Sequence, residues 1–479
     1  MINCNTGSIA PYIPDAQRPW NKRRVQHLYR RMGFGADNAT ITAGLAQSPG
    51  ALVDSIINNA LALPLAPQPV WAFWTVANYQ NQEQAVAQIF DWRRLWVRDM
   101  LANGFRGKLT LFWHNHFVTR LESYGCPSYF YQYHKVLQQY ALGDFREFVR
   151  AVGLTPAMLV FLNGVQNTRF QPNENYAREL YELFTLGADN GYTQQDIVQT
   201  ARALTGYNGL GEYCGPVSYV PAFFDPLPKT IFGQTGNWGY NDVVNNLFQQ
   251  RASQIAHYIC RKIYRYFVSP NADETIVAQM ASTFLANNFQ LAPMLRQLFK
   301  SEHFFDENIM GAEVKGPLEM LLTFVKETSY PNPTDSDIDG ILYLAAELGQ
   351  DLANPTDVAG WPGNRSWINS NTLTGRWQAA RFVIYSLYVN YPQVLVNFAK
   401  AVSNNSNNAA LVSRLIVDHF VPKDLQFETD YERSLEVFKA EIPDNYFQDG
   451  QWNLEWPTAA AQVGLLMDHI IRKPDFQLF

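Results

Sequence analysis

The chain has 479 residues, enough for a large core and for two or three conventional domains. Hydrophobic residues make up 47% and charged residues 17%, a balance that excludes a disordered chain. The formal net charge of −6, with no basic run along the chain, excludes a phosphate-tracking nucleic-acid binder, and no apolar stretch is long enough to predict a membrane-spanning helix.

The first residues lack the basic region and apolar run of a secretory signal, so a cytoplasmic protein is expected unless a leader has been removed, in which case it is exported. Cys4, Cys126, Cys214 and Cys260 are far apart and form no CxxC pair. Four free thiols in a reducing compartment are the expectation. Pro11, Pro14 and Pro19 mark residues 1–20 as an extended arm, and residues 21–479 read as one helical domain. A first helix is predicted over 21–31, ending at Met32-Gly-Phe-Gly35, then short helices over 38–47 and 50–61 and a proline break over 63–69. A long helix follows over 82–103 and an aromatic-rich one over 106–120. In the latter, His114 and His116 sit two apart, roughly 200° around the helix, and cannot share a metal ion. Only one is expected to face the interior, and the apolar spacing of Leu109 and Phe112 selects His116.

Further helices are predicted over 128–142, 144–152 and 156–162. The stretch Gln171-Pro-Asn-Glu-Asn-Tyr-Ala-Arg-Glu-Leu-Tyr-Glu-Leu-Phe-Thr-Leu-Gly187 then carries the clearest signals of the chain. Asn173 is placed to cap a helix and Gly187 to close it in the left-handed conformation. Tyr176, Leu180, Leu183 and Phe184 share one stripe, while Glu174, Arg178 and Glu182 line another at i,i+4 spacing. So much apolar surface predicts a buried helix with a buried Glu–Arg–Glu ladder, either structural or part of a cleft.

A helix over 193–204 starts with Thr193 and Asp196 in a capping-box pattern. Residues 207–240 change to glycines and aromatics, with 217–224 and 229–232 expected to pair as one small β-hairpin. Helices resume from 242, with one beginning at Lys315-Gly-Pro-Leu-Glu319. The loop over 354–371 contains Ala359-Gly-Trp-Pro-Gly363. Further helices are predicted up to 418 and again over 458–471. The class is all-α, a large multi-helix single unit with one small β insertion near 217–232.

Taken together, these stretches resemble a bacterial family, the domain of unknown function 1800. The resemblance is carried by Arg30-Arg-Met-Gly-Phe-Gly35, Trp113-His-Asn-His-Phe117, the 173–187 stretch, Tyr192-Thr-Gln-Gln-Asp-Ile with Ala201-Arg-Ala-Leu-Thr-Gly206, Lys229-Thr-Ile-Phe-Gly-Gln-Thr-Gly236, Lys315-Gly-Pro-Leu-Glu319 and Val358-Ala-Gly-Trp-Pro-Gly363. It implies one large helical unit, frequent pairing with an alkaline-phosphatase-like protein and, in many members, export. It implies no reaction. Members often carry a histidine where this chain has Phe184, and many place His-Asp before the strand that begins here at Lys229. No metal and no cofactor are therefore expected.

Two functions fit these residues. One is a helical binding or scaffolding protein that offers its Trp/Gly loops to a partner protein, a polymer or a carbohydrate. The other is a hydrolase-type enzyme acting on a polyhydroxyl or anionic substrate in a polar cleft. There His116 or Glu182 would be the acid or base, and Arg31, Glu174, Arg178, Lys315 and Trp361 would bind the substrate.

Overall fold

The computed structural model describes residues 7–208 and 213–479. Among these residues the chain forms twenty-two α-helices and two two-stranded antiparallel sheets, the all-α class with a small β insertion. Apolar side chains from nearly every helix join one continuous core.

Three helices lie at its centre. The first, Lys22–Met32, is capped by the Asn21 side chain and buries Val25, Leu28 and Met32 together with Arg24, Arg30 and Arg31. The second is the half of Gln82–His116 that follows a kink at Asn103 and Gly104. Gly104 has φ +38°, a conformation that glycine adopts without a Cβ clash, and this is why the sequence reads as two helices meeting here. Beyond the kink every side chain from Phe105 to His114 is buried, and so is His116. The third, Pro317–Glu327, is buried at every position but Lys326.

Charged pairs join the three. Arg30 grips Glu327 through Nε–Oε1 at 2.6 Å and a second guanidinium nitrogen at 2.9 Å, both side chains being only 2% exposed. Lys108 pairs with Glu319. A buried charge is tolerated only when paired in this way.

The stretch from Gln171 to Gly187, expected to be a buried helix with a buried ladder, lies elsewhere. Its helix is short, Asn175–Glu182, and begins after Glu174 rather than at Asn173, whose Oδ1 instead accepts from the Asn175 N–H at 2.9 Å. Tyr176, Ala177, Leu180 and Tyr181 are buried. The ladder on the opposite face is not: Glu174, Arg178 and Glu182 keep 39%, 37% and 26% of their side-chain surface exposed. Gly187 ends the stretch at φ +92°, as its position predicts.

The β insertion pairs differently from the expected hairpin. Ser218–Tyr219 pairs back with Tyr207–Asn208, while Lys229–Ile231 pairs forward with Gln234–Gly236. Pro221 opens a 3-10 turn straight after the earlier strand, and a proline there cannot donate to a ladder. Phe232 and Gly233, both at positive φ, make the tight two-residue turn of the later hairpin.

The cysteines also depart from expectation. Cys126 and Cys214 are joined in a disulfide that ties the insertion to the start of the helix Pro127–Tyr140, although 88 residues separate them. Cys260 is a free, buried thiol, and Cys4 lies outside the described residues.

Candidate functional site

A cleft of about 490 Å³ opens beside the three central helices. Its walls come from residues far apart in sequence: Arg31, Asn115 and His116, Lys262 with Arg265, Glu313 with Glu319, Gln350 and the loop over 359–367.

The order His114-Asn115-His116 divides three tasks around the last helical turn. His114 Nδ1 lies 2.9 Å from the Tyr133 hydroxyl, and its ring meets Trp361 edge-on. His116 points away from it and donates through Nε2 to the Phe184 carbonyl at 3.1 Å. Both histidines are buried, because the helix is enclosed all round; the expectation that only one faces inward is corrected on this point. Asn115 between them clamps the loop: its Oδ1 accepts from the Trp361 N–H at 2.6 Å and its Nδ2 donates to the Trp361 carbonyl at 3.3 Å. Gly360 sits against this amide at φ +94°, where a Cβ would lie 2.3 Å from Asn115 Oδ1. Only glycine fits there.

The His116 contact fixes its tautomer. A carbonyl can only accept, so Nε2 carries the hydrogen and Nδ1 holds a lone pair. Nδ1 has no hydrogen-bond partner among the described residues. Burial, helped by the nearby Lys262 charge and opposed by the Phe184 carbonyl, keeps the ring well below its ordinary pKa and hence neutral.

Two carboxyl groups line the cleft and are held in opposite states. Burial pushes Glu313 up to about 8, with Arg31 opposing and Glu319 reinforcing, and its Oε1 has no partner among the described residues. For Glu319 burial is again the largest influence and would raise it, but Lys108 and two hydrogen bonds hold it below its ordinary value. Those bonds come from the Gly316 N–H at 2.9 Å and the Tyr266 hydroxyl at 3.0 Å. At neutral pH Glu313 is a neutral acid and Glu319 a carboxylate. Pairs of titratable groups pushed apart like this are the usual equipment of acid–base chemistry.

Of the residues expected at a site, Arg31, His116 and Trp361 line the cleft. Lys315 stands behind it, its Nζ donating to the Phe476 carbonyl at 2.7 Å and lying 4.7 Å from the Phe476 ring centroid. Glu174, Arg178 and Glu182 are not among the lining residues; Arg178 bonds to both glutamates and to Gln194. The ladder's stretch meets the lining residue His116 through the Phe184 carbonyl and ring, the ring centroid 6.2 Å from that of His116. This is the position where family members often carry histidine.

Sequence reasoning missed Asn115, Lys108, Lys262, Arg265 and Glu313 as parts of one site. The Trp113-His-Asn-His-Phe117 and Lys315-Gly-Pro-Leu-Glu319 stretches were the available signals. Their meaning is mutual, since one supplies the clamp and the other the ionised carboxylate.

No curated protein and no solved structure matches the chain. A family model described as a protein of unknown function, DUF1800, matches residues 27–478. The match takes in every residue that lines the cleft except Phe479, and the chain belongs to the DUF1800 family.

Proposed function

We propose that this cleft is the active site of a hydrolase-type enzyme that works by acid–base chemistry. The observation that carries the proposal is that Glu313 and His116 line one cleft: a buried neutral carboxyl and a buried neutral imidazole, each with an atom that has no hydrogen-bond partner among the described residues. Glu313 gives its proton to the leaving oxygen as the substrate bond breaks. His116 Nδ1 takes a proton from the attacking water, whose oxygen forms the new bond. The proton then returns from imidazolium to the Glu313 carboxylate through solvent, restoring both groups. Glu319, held by Lys108, Gly316 and Tyr266, keeps a fixed negative charge in the same cleft. The aromatic faces of Trp361 and Trp367 in the same walls suit the apolar face of a sugar or other polyhydroxyl substrate.

The test is turnover of chromogenic 4-nitrophenyl esters, glycosides and phosphates between pH 5 and 9. Activity on one class that drops about 100-fold or more in both Glu313→Gln and His116→Gln, with the fold retained, supports the proposal. Absence of turnover on all three classes, or full activity in Glu313→Gln, overturns it.

A binding or scaffolding role rests on a different surface. Phe382, Tyr385, Tyr388 and Val389 on the helix Ser370–Asn390 are exposed, as is Tyr343 on the helix Asp335–Glu347. A cluster of large apolar side chains in the open is a place for a partner protein to dock, and the family resemblance proposes an alkaline-phosphatase-like one. Tyr385→Glu abolishing co-purification with such a protein would support this role; unchanged co-purification would remove it. As to compartment, the Cys126–Cys214 bridge favours an oxidising one over the cytoplasm.

A further inference from the structure

We propose that the cleft takes an oxyanion-bearing ligand, its phosphate, sulfate or carboxylate group held by Lys262, Arg265 and Arg365. The inference rests on the cleft being the working site and names the class of molecule that enters it.

The argument starts from charge pairing. Across the molecule basic side chains mostly find a carboxylate, as in Arg94 with Asp339 at 2.6 Å, Arg202 with Asp225 at 2.7 Å and Arg296 with Asp54 at 2.5 Å. The four bases that line the cleft, Arg31, Lys262, Arg265 and Arg365, form no ion pair among the described residues. The contrast is sharpest within one helix. On Ala252–Phe267, Arg261 pairs with Glu274 at 2.7 Å, while its neighbour Lys262 lines the cleft beside His116 with its Nζ 5.6 Å from the Tyr258 ring centroid, in no ion pair among the described residues. Arg265, one turn on, lines the same wall. Arg265 gains from the helix dipole in the last turn, but Lys262 one turn before it repels it at i,i+3, a local cost at that position.

The acids in the cleft act on Arg31 but form no ion pair with Lys262, Arg265 or Arg365. Glu319 is taken by Lys108. Glu313 makes no salt bridge with any of the four, and its burial favours the neutral form. A cleft with an excess of basic side chains thus sits in a chain whose formal net charge is −6. Walls of low dielectric concentrate that potential and draw anions inward. Arg31 is already committed, donating to the Val268 carbonyl with its guanidinium 5.4 Å from the Phe479 ring centroid. The half-buried Lys262 and the forked guanidinium groups of Arg265 and Arg365 are the donors left for a ligand. Planar guanidinium groups meet oxyanions with two parallel N–H bonds, and an ammonium adds a point charge.

The experiment titrates the full chain with inorganic phosphate, inorganic sulfate and acetate at fixed ionic strength against chloride. Calorimetry and tryptophan fluorescence read the binding, since Trp361 and Trp367 line the site. One of the three anions is expected to bind saturably, and which one identifies the group. Binding should weaken at least about tenfold in Lys262→Gln/Arg265→Gln and also in Arg365→Gln. Arg261→Gln, which removes the same charge from the outer face of the helix, should leave it unchanged. Glu313→Gln should still bind the anion while losing turnover, which separates failure of the acid–base proposal from failure of this one. No saturable binding by any of the three anions, or equal binding by the double variant and the native chain, overturns the inference.

Discussion

Two sets of paired charges invite comparison: the Glu174–Arg178–Glu182 ladder and the Arg30–Glu327 and Lys108–Glu319 pairs. The ladder is local, four residues per step, and visible in the sequence at once. Its side chains remain roughly a quarter to two-fifths exposed, so water screens them. The second set joins residues up to 297 apart, and no periodicity announces it. Those pairs are buried, they tie three central helices together, and one of them forms part of a cleft wall. Readable charge patterns are local by construction, whereas the charges that matter most to this fold meet only after it has formed.

The comparison can be broken most forcefully at Arg30. Arg30→Met strands Glu327 in the core and should cost about 3–5 kcal/mol in urea unfolding, with Arg30→Met/Glu327→Leu regaining much of it. A loss below about 1 kcal/mol would mean that the pair is as weak as a surface bridge.

At Glu313 the expected effect appears as a pH dependence and is spread over several pH units. Its folded pKa, about 8, lies above its ordinary value of 4.5, so its stabilising contribution is complete below 4.5 and is lost as pH rises towards 8. The slope is at most about 1.4 kcal/mol per pH unit. Glu313→Gln cannot ionise. It should flatten this part of the stability profile and be more stable than the native chain at pH 8. Parallel profiles in the two proteins would show that Glu313 ionises normally and is not the proton donor.

The smallest effect belongs to the ladder. Arg178→Leu should change unfolding free energy by about 0–1 kcal/mol, because an exposed i,i+4 pair contributes little. A loss of several kcal/mol would show that local and long-range charge sets are equivalent after all.

These particulars show how far the sequence could be read. The helical class, the Thr193–Asp196 capping box and the break near residue 104 follow from local rules, and the structure shows each of them. The helix Glu428–Lys439 escaped because its charged residues mask a narrow stripe of Tyr431, Ser434 and Phe438. The ladder helix reads as buried because apolar residues recur all round it, whereas only the face of Tyr176, Ala177, Leu180 and Tyr181 packs. At the site, Arg31, His116 and Trp361 were legible as members of distinctive stretches. Glu313 and Lys262 were not. Nothing local distinguishes a glutamate that will be buried beside Arg31, or a lysine whose neighbour takes the available carboxylate. The Cys126–Cys214 bridge was hidden for the same reason, since spacing along the chain does not report distance in space.

The Asn115 clamp has a consequence for how a ligand would meet this protein. Loops around binding sites are often ordered only when something binds, and the lost freedom then weakens the complex. Here both backbone groups of Trp361 are already held by one buried helix, and Gly360 lets the loop press against it. That segment of the loop has no regular secondary structure, but it is ordered when the chain folds. A ligand would therefore enter a wall that is already in place, and its affinity would depend on the contacts it makes with little deducted for ordering the Trp361 segment.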